Sequence, residues 1–403
     1  MPEPLIQLEN VHKKFGNQVI LDGVDLSIFG GEVLTVIGKS GGGKSVLLKH
    51  VIGLITPDSG RIVYEGRSID EMTIAERRAL KSRFSYMFQG TALFDSMPVY
   101  DNIALPLKER ATLSGSAIRG KVSEKMSQLD LNDIEDKYPS QISGGMKKRV
   151  ALARALVTDP EIVLFDEPTT GLDPIRKNAV HSMICDYQRK FGFTAVVVSH
   201  EIPDVFYISQ RIAMLDKGRI HFQGTPDEIK NSDDAVVNEF VKGLEAEQDD
   251  LTGLDTHIHG EQKFTVEMKQ LRRNGTAFSL VLFKVDNMEE INTKWGHVEG
   301  QRILKNFAAH ITGSLRHNDT CSRMGLNRIM LLMPGTKIDG ARHVCARMTG
   351  NLKSADVFGD RLRAGFCFSV SAGFAQAHPD SNMEEMLERA KSDQNKFYDF
   401  RIC

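Results

Sequence analysis

A glycine-rich segment constrains the fold of this chain more than any other feature of its sequence. Residues 38–45 read GKSGGGKS, which matches the pattern GxxxxGK[ST]. The segment follows the apolar run VLTVI and precedes VLLKHVIGL, so it connects a predicted strand to a predicted helix. In this setting the backbone N–H groups of the loop converge at the helix N-terminus, where they favour an anion. The context predicts a phosphate-binding loop rather than an ordinary glycine-rich turn.

The residues of this loop have separate predicted tasks. Its glycines let the backbone approach a phosphate closely, Lys44 reaches the β- and γ-phosphates, and Ser45 ligates Mg²⁺. Lys39 is interpreted as a solvated loop charge. The predicted nucleotide contacts are Gly38, Ser40, Gly41, Gly43, Lys44 and Ser45.

A second apolar run, EIVLFDE, ends in two carboxylates. Two acids at the end of a buried strand are costly without a cation, so we predict that Asp166 holds a metal through its shell and that Glu167 polarises the attacking water as general base. Gln89 and His200 also follow predicted strands that end at the same sheet edge as the phosphate loop, where such folds bind ligands. Taken alone, each of these two residues is ambiguous, because a lone Gln or His more often makes a structural hydrogen bond.

The pattern of elements predicts an α/β fold in two domains. Over the first 230 residues, β-branched runs alternate with longer helical patterns. An acidic, weakly apolar stretch then places a domain boundary near Glu247, which gives domains 1–246 and 247–403. Beyond the boundary, SLVLFKVD and FCFSVSAGFA are typical of strands and GQRILKNFAAHIT of an amphipathic helix, so the second, smaller domain is also predicted to be α/β or α+β.

Composition excludes some partners. The chain has 51 Lys+Arg against 53 Asp+Glu, and a net charge of -2 supplies no basic field for nucleic acid. No apolar run approaches the roughly 18 residues that cross a bilayer, so a role at a membrane requires a membrane-embedded partner. The first residues lack the apolar region of a signal peptide, and we expect the protein to stay in the cytosol.

The segment ISGGM, residues 142–146, resembles the signature of ATP-binding-cassette (ABC) ATPases, whose usual form ends in Gln. The order of phosphate loop, Gln89, signature, Asp166-Glu167, GLDP and His200 resembles this family over residues 4 to about 243. The resemblance implies a P-loop ATPase domain with a helical subdomain, ATP and Mg²⁺ as cofactors, and a head-to-tail homodimer formed through the ATP sites. It assigns Ser143, Gly144 and Gly145 to the γ-phosphate of ATP held by the opposite subunit, Asp173 to communication across the dimer, Gln89 to the metal and to catalysis, His200 to the γ-phosphate, and Phe15 to adenine stacking, where the family more often has Tyr.

Within the family, SYMFQGTALFDSMPVYDNIALPL and the basic residues after Met146 most resemble ATPases of Mla- or Mce-associated lipid transporters. This resemblance implies transport of phospholipid or a related lipid between the membranes of a two-membrane bacterium. It implies a peripheral position on the cytoplasmic face of the inner membrane, with an integral membrane permease, an Mce-type substrate-binding protein and a small STAS-domain protein as partners. It also assigns Phe88, Leu93, Phe94 and Met97 to a groove for a permease coupling helix, although apolar residues at such spacing also pack internally.

The chain from Asp250 onward resembles a GGDEF domain, the diguanylate cyclase fold, with important departures. The pentapeptide reads GLNRI at residues 325–329, without the second glycine and both carboxylates. Asp286 matches one metal ligand of the family and Asn292 a guanine contact, but Gln301 replaces a second guanine-binding Asp. Two Mg²⁺ ions beside a triphosphate need several oxygen ligands, so we do not expect cyclase activity.

One further segment, RHND, has Arg316 and Asp319 at the spacing of the RxxD site that binds cyclic di-GMP in this family. Arg316 can fork onto a phosphate or guanine edge while Asp319 accepts from guanine N–H groups. An Arg and an Asp three residues apart are also common as a surface ion pair. Three roles for the second domain therefore stay open: a cyclic di-GMP receptor, a scaffold for the ATPase dimer, and a site for another nucleotide or partner.

Two other functions share these motifs. A non-transport ABC ATPase acting on ribosomes or in DNA repair usually has two cassettes or long coiled-coil inserts, whereas this sequence has one phosphate loop and no heptad run. A soluble nucleotide sensor with incidental ATPase activity is disfavoured by the presence of Glu167 and His200. Copurification of a multi-spanning membrane protein distinguishes the transport function from the first alternative.

Overall fold

The chain folds into two compact units. The computed structural model describes residues 3–39, 41–87, 92–110, 112–199, 202–230, 232–242, 248–354 and 366–402. The first unit comprises Met1–Leu172 and Met183–Gly243, and the second comprises Asp173–Ser182 and Leu244–Cys403. The predicted boundary near Glu247 lies outside the described residues, so the exact limits 1–246 and 247–403 stay a prediction.

A largely parallel sheet forms the centre of the first unit. Its strand order is β10-β9-β3-β8-β7-β6, and only the β9–β10 pair is antiparallel among the described strands. The strands β3 and β8 are buried along their whole length, as expected for a parallel sheet covered on both faces. The six strands of this sheet are β3 (Val33–Ile37), β6 (Phe84–Met87), β7 (Ile162–Asp166), β8 (Thr194–Ser199), β9 (Arg211–Asp216) and β10 (Arg219–Gly224).

An antiparallel sheet in the order β2-β1-β4-β5 completes the strand layers of this unit. Register shifts between β1 and β2 bend the pair, which increases its twist. The apolar residues of both sheets share one core with the phosphate-loop helix, including Leu47, Leu48 and Val51. The bounds are β1 (Ile6–Phe15), β2 (Gln18–Ile28), β4 (Ser59–Tyr64) and β5 (Arg67–Ser68).

Helices cover the sheets of the first unit and form its helical part. The glycine-rich loop leads directly into α1, and α3, α4 and α5 pack together between β6 and β7 in chain order. The bounds are α1 (Lys44–Val51), α2 (Ile74–Lys81), α3 (Val99–Arg110), α4 (Gly115–Gln128), α5 (Gly144–Leu156), α7 (Ile202–Ile208), α8 (Pro226–Lys230) and α9 (Ala235–Lys242), with 3₁₀ turns at Ile69–Glu71 and Pro139–Gln141. Helix α6 (Pro174–Phe191) belongs to both units, since residues 174–182 are part of the second and residues 183–191 part of the first.

The second unit contains an antiparallel sheet in the order β12-β13-β11-β14-β15. Alternate residues of its central strand β11 enter two apolar clusters: Leu280 and Leu282 pack beside Phe264, while Val281 and Phe283 pack beside Phe307. Helices therefore cover both faces of the sheet. The bounds are β11 (Phe278–Val285), β12 (Thr320–Arg323), β13 (Arg328–Pro334), β14 (Phe366–Gln376), β15 (Asn395–Ile402), α10 (His257–Asn274), α11 (Met288–Trp295), α12 (His297–Thr312), α13 (Ile338–Ser354) and α14 (Met383–Ser392).

Both units have the predicted α/β fold class, which is confirmed. The strands predicted from VLTVI, EIVLFD and TAVVVSH are β3, β7 and β8, and those predicted from SLVLFKVD and FCFSVSAGFA are β11 and β14. Within the described part of the chain, no helix combines the length and apolar character that a membrane crossing requires.

Candidate nucleotide-binding site

The phosphate loop runs from the end of β3 to the start of α1. At Gly38 the backbone φ is +155°, and a Cβ there would lie 2.1 Å from the carbonyl oxygen of Leu215, so only glycine fits. The Lys44 side chain folds back over the loop, where its Nζ donates to the carbonyls of Gly38 at 2.8 Å and Lys39 at 2.9 Å. Gly41 and Gly43 also have positive φ, and Ser40 lies outside the described residues.

Lys44 is only 4% exposed, and this burial has an electrostatic cost. Burial lowers the pKa of the Lys44 ammonium, while the negative charges of Glu167 and Asp166 oppose that shift. The ammonium therefore lies in the field of the predicted general base, Glu167, and of the predicted metal ligand, Asp166. The structure brings the phosphate loop and the end of β7 to the same edge of the sheet.

Two hydroxyl groups hold the Asp166 carboxylate at the end of β7. Ser45 Oγ donates to Asp166 Oδ1 at 2.9 Å, and Tyr86 Oη donates to Oδ2 at 2.7 Å. Burial is the main cause that raises the pKa of the Tyr86 hydroxyl, and the hydrogen bond to Asp166 is the second. The hydroxyl therefore keeps its proton and donates at neutral pH. Tyr86 was not among the predicted site residues, although its place in β6, beside β7, puts it at this edge.

The Ser45 hydroxyl and the Asp166 carboxylate fit a Mg²⁺ site, because Mg²⁺ prefers oxygen ligands and usually takes several from water and phosphate. Among the residues that the structure describes, no group of three or more His, Cys, Asp or Glu side chains converges to hold a metal. This donor set suits an ion that takes further ligands from a nucleoside triphosphate, rather than an ion whose ligands all come from the protein.

Glu167 follows β7 in a sparsely populated backbone conformation. Its φ is +46°, a left-handed value that costs a residue with a Cβ roughly 1–2 kcal/mol. Its N–H donates to the Val198 carbonyl on β8 at 3.1 Å, and Thr170 Oγ1 donates to its Oε2, also at 3.1 Å. The neighbouring strand and the following turn thus fix the predicted base on both sides. His200 and Gln89, predicted beside it, lie outside the described residues.

The signature segment begins helix α5. Ser143 is the N-cap residue, and its Oγ accepts from the Met146 N–H at 3.2 Å. Ser143, Gly144 and Gly145 are all exposed. The residues predicted to contact ATP of a second subunit are therefore on the surface of this unit.

Phe15 and Asp173 are also accessible. The Phe15 ring, at the end of β1, is 50% exposed and lies 5.6 Å from Lys13 Nζ. Asp173 caps helix α6, since its Oδ1 accepts from the Arg176 N–H at 3.1 Å. The Phe15 ring is thus half-exposed beside Lys13, whereas the Asp173 carboxylate is hydrogen-bonded to the first turn of α6.

A buried amide organises the loop before α3. Asn102 is fully buried, accepts from the Phe94 N–H at 2.8 Å and donates to the carbonyls of Phe94 at 3.0 Å and Met97 at 2.9 Å. The Phe94 side chain remains 48% exposed, and Leu93 and Met97 are half-buried. Phe88, the fourth residue predicted to line a permease groove, lies outside the described residues.

In the second unit, the degenerate pentapeptide forms the turn from β12 into β13. Asp286, which matches a family metal ligand, accepts from Ser371 Oγ at 2.6 Å and from Ser369 Oγ at 3.1 Å. Asn327 donates to the Val285 carbonyl at 3.0 Å. The side chains at two positions that matter for metal binding in the cyclase fold are therefore engaged in hydrogen bonds within the sheet.

The remaining predicted ligand residues of this unit differ in exposure. Asn292 is 3% exposed and Gln301 fully buried, so neither side chain is open to solvent. Arg316 is exposed, and its N–H donates to Asp319 Oδ2 at 2.9 Å. In the RxxD segment, the Asp319 carboxylate thus accepts from the Arg316 backbone N–H, and Arg316 itself is exposed.

Family comparisons identify both units. Residues 21–170 match the family described as ABC transporter. Residues 246–396 match the family described as diguanylate cyclase, GGDEF domain.

Two curated relatives cover the first unit. The probable ribonucleotide transport ATP-binding protein mkl of Mycobacterium bovis is 40% identical over 238 residues, which is 59% of this chain and 66% of the mycobacterial protein. The intermembrane phospholipid transport system ATP-binding protein MlaF of Haemophilus influenzae is 34% identical over 243 residues, which is 60% of this chain and 92% of that protein. The match therefore spans slightly less than two thirds of the mycobacterial relative and nearly all of the Haemophilus one.

Among solved structures, cbiO1 from Clostridium perfringens, part of the ABC transporter complex cbiONQ, superposes with a TM-score of 0.53 and 27% identity. The superposition covers 60% of this chain and 96% of cbiO1. The fold of the first unit is thus that of an ABC ATPase.

Proposed function

The chain belongs to the family of ABC transporter ATP-binding proteins, and from this premise we propose that it hydrolyses ATP to drive a membrane permease. The observation that carries the proposal is the convergence of Lys44, the Ser45–Asp166 pair and Glu167 at one edge of the parallel sheet. Phosphate binding, metal binding and general-base chemistry need these groups together.

Each group has a defined task in the proposed reaction. The loop N–H groups and Lys44 bind the β- and γ-phosphates, and Lys44 would exchange its contacts with the loop carbonyls for contacts with the nucleotide. Ser45 and Asp166 hold Mg²⁺, which neutralises phosphate charge when bound. Glu167 accepts a proton from the attacking water. Gln89 and His200 are proposed to contact the metal and the γ-phosphate, respectively.

The proposed working unit is a head-to-tail homodimer. Its support is the exposure of Ser143, Gly144 and Gly145 at the N-terminus of α5, where backbone N–H groups and the helix dipole favour an anion. In the proposed dimer, this anion is the γ-phosphate of ATP bound by the second copy of the chain. Each ATP site is then formed by residues of both chains. Asp173, the residue of the GLDP segment that caps α6, would communicate between the sites, and Phe15 would stack on adenine.

The proposed substrate is phospholipid or a related lipid, moved between membranes. The name of the Haemophilus relative and the segment around ALFDSMPVYDN support this choice, whereas the name of the mycobacterial relative points to ribonucleotides. A transport assay with labelled phospholipid in one arm and a labelled ribonucleotide in the other separates the two substrates.

The proposed partners are an integral membrane permease, an Mce-type substrate-binding protein and a small STAS-domain protein, with the ATPase on the cytoplasmic face of the inner membrane. Phe94 supports a permease contact, because a half-exposed aromatic side chain stands on a segment that the buried Asn102 holds rigidly. Aromatic anchors presented on ordered backbone are typical of protein interfaces.

Affinity purification from membranes tests the transport function. We expect the wild-type chain to copurify with a multi-spanning permease and Phe94→Ala to lose most of it. Val266→Ala, which truncates an exposed apolar residue of the second unit, should keep it. Recovery of ribosomal or DNA-repair proteins without a permease would favour the non-transport function instead.

For the second unit we propose a regulatory or scaffolding role without cyclase activity. The serine bonds to Asp286 and the replacement of acidic ligands by Asn327 and Arg328 support this proposal. Cyclic di-GMP is the proposed ligand of Arg316 and Asp319. Calorimetric titration of cyclic di-GMP into the full chain should give heat that Arg316→Ala abolishes, and the absence of heat at high ligand concentration would leave the scaffold role.

A further inference from the structure

A lysine of the signature helix contacts the backbone beside the proposed general base. Lys148 lies on α5, one turn after the exposed segment 143–145, and its side chain is half-buried. Its Nζ donates to the carbonyl oxygen of Pro168, the residue that follows Glu167. The two residues are 20 positions apart in the chain, so this hydrogen bond links two separate elements of the first unit.

The Pro168 carbonyl needs such a donor. Pro168 and Thr169 are buried, and a buried carbonyl without a partner is destabilising. The backbone at this point is also conformationally demanding, because Glu167 has a φ of +46°. An unfavourable conformation persists only where surrounding contacts determine it.

Three of the described contacts reach residues 167 and 168 from different directions. The Val198 carbonyl on β8 accepts from the Glu167 N–H, and Thr170 Oγ1 donates to the Glu167 carboxylate. Lys148 supplies the third contact from α5. Of the three, only the Lys148 bond connects the base to the helix that carries the signature residues.

A lysine is an expensive choice for this task. Burial lowers the pKa of the Lys148 ammonium to about 8, which shows that the site does not favour its charge. A neutral donor would satisfy a carbonyl at lower cost. What the ammonium offers is a long side chain with three donors that can follow the carbonyl if the helix shifts.

We propose that Lys148 is a positioning residue that fixes the Glu167 backbone and couples it to the signature segment. The inference rests on the proposed ATPase function. In the head-to-tail dimer, the signature segment contacts ATP of the opposite site while Glu167 serves its own site. The Lys148–Pro168 bond therefore connects the two ATP sites of the dimer.

Steady-state ATP hydrolysis tests this role. Lys148→Met keeps much of the side-chain volume without a donor, and we expect kcat to fall about 10- to 100-fold, the scale of a small misplacement of a catalytic group. KM for ATP should change less than about twofold, because the phosphate loop is untouched, and the Hill coefficient for ATP should fall below the wild-type value. Lys148→Arg, which keeps the charge and the donors, should recover most of kcat. Lys49→Met, at an exposed lysine of α1, is the matched control and should behave as wild type.

Several results would overturn the inference. An unchanged kcat in Lys148→Met, or a parallel loss of ATP affinity and melting temperature that Lys148→Arg does not reverse, would show that the contact has no positioning role. If Lys148→Met does not fold, Lys148→Ala is judged by the same criteria. Failure of the proposed function looks different, because the wild-type chain and the Lys49→Met control would then lack ATP turnover as well.

Discussion

At the residue scale, the Asp166 carboxylate is the group on which the proposed metal site depends. It is held by one hydroxyl from the phosphate-loop helix, that of Ser45, and by one from the neighbouring strand, that of Tyr86. Two fixed donors preorganise the carboxylate before a metal binds, so little rearrangement is required on binding. The Tyr86 hydroxyl is thus a supporting group of the site.

Replacing Tyr86 by Phe should loosen this arrangement. The ring packing is kept and one hydrogen bond to a charged acceptor is lost, so we expect the free energy of local opening around β6 and β7 to fall by about 1–2 kcal/mol. Hydrogen exchange of the β6 and β7 amides measures it. The control is Tyr100→Phe, which removes the hydroxyl of a tyrosine whose ring lies near Lys108 and Arg119. It should leave the exchange rates of the β6 and β7 amides unchanged. Equal protection in Tyr86→Phe and wild type would contradict the supporting role.

Sequence reasoning located some of these residues and missed others for one physical reason. Lys44 and Ser45 are set by a local pattern, because a phosphate loop needs its residues at fixed spacing. Tyr86 and Lys148 contact their partners 80 and 20 positions away, respectively. No local periodicity encodes such contacts, which arise only when the sheet and α5 assemble.

At the element scale, strands with continuous apolar runs were predictable and close packing was not. The runs that became β3, β7 and β8 are nearly fully buried, as their composition predicts for a parallel sheet. The approach of α14 to β14 is different, since it depends on one glycine. A Cβ at Gly373 would lie 1.7 Å from the Ala390 carbonyl oxygen, so the helix can sit at this distance only against glycine.

Gly373→Ala should therefore destabilise the second unit by about 2–3 kcal/mol through overpacking. Trp295 is the only tryptophan of the chain and lies on α11 of this unit, so its fluorescence during urea unfolding reports the effect. Gly350→Ala, in helix α13 where a Cβ meets nothing within 4 Å, should instead stabilise the unit by about 0.5–1 kcal/mol. A midpoint for Gly373→Ala equal to that of wild type would disprove the packing argument.

At the scale of the whole molecule, two units with different chemistry share one chain. In the first, the residues of the proposed ATP site converge at one sheet edge. In the second, a buried ion pair joins Asp249 to Arg323 at 2.9 Å, and Asp249 also accepts from the Thr252 N–H, which ties the segment before α10 to β12. The second unit thus has a buried ion pair inside its fold, while Asn327 and Arg328 replace the two carboxylates of the family pentapeptide.

The order of motifs was enough to predict both families, whereas the site geometry was not predictable from it. The glycine-rich loop, ISGGM and EIVLFDE have short, fixed spacing within their own elements, and the family matches confirm that assignment. The left-handed backbone of Glu167 had no signal in the sequence, because Glu is an unusual residue for that conformation. The contacts that surround it come from β8, from the following turn and from α5, which are distant in the chain or irregular in structure.

The most direct test of the account is ATP hydrolysis by Glu167→Gln beside the wild-type chain, with ATP binding measured on the same preparations. Because Gln keeps the shape but cannot accept the proton, we expect ATP binding to be retained and turnover to fall about 100-fold or more. Undiminished turnover in Glu167→Gln, with wild-type ATP binding, would contradict the assignment of Glu167 and with it the proposed mechanism.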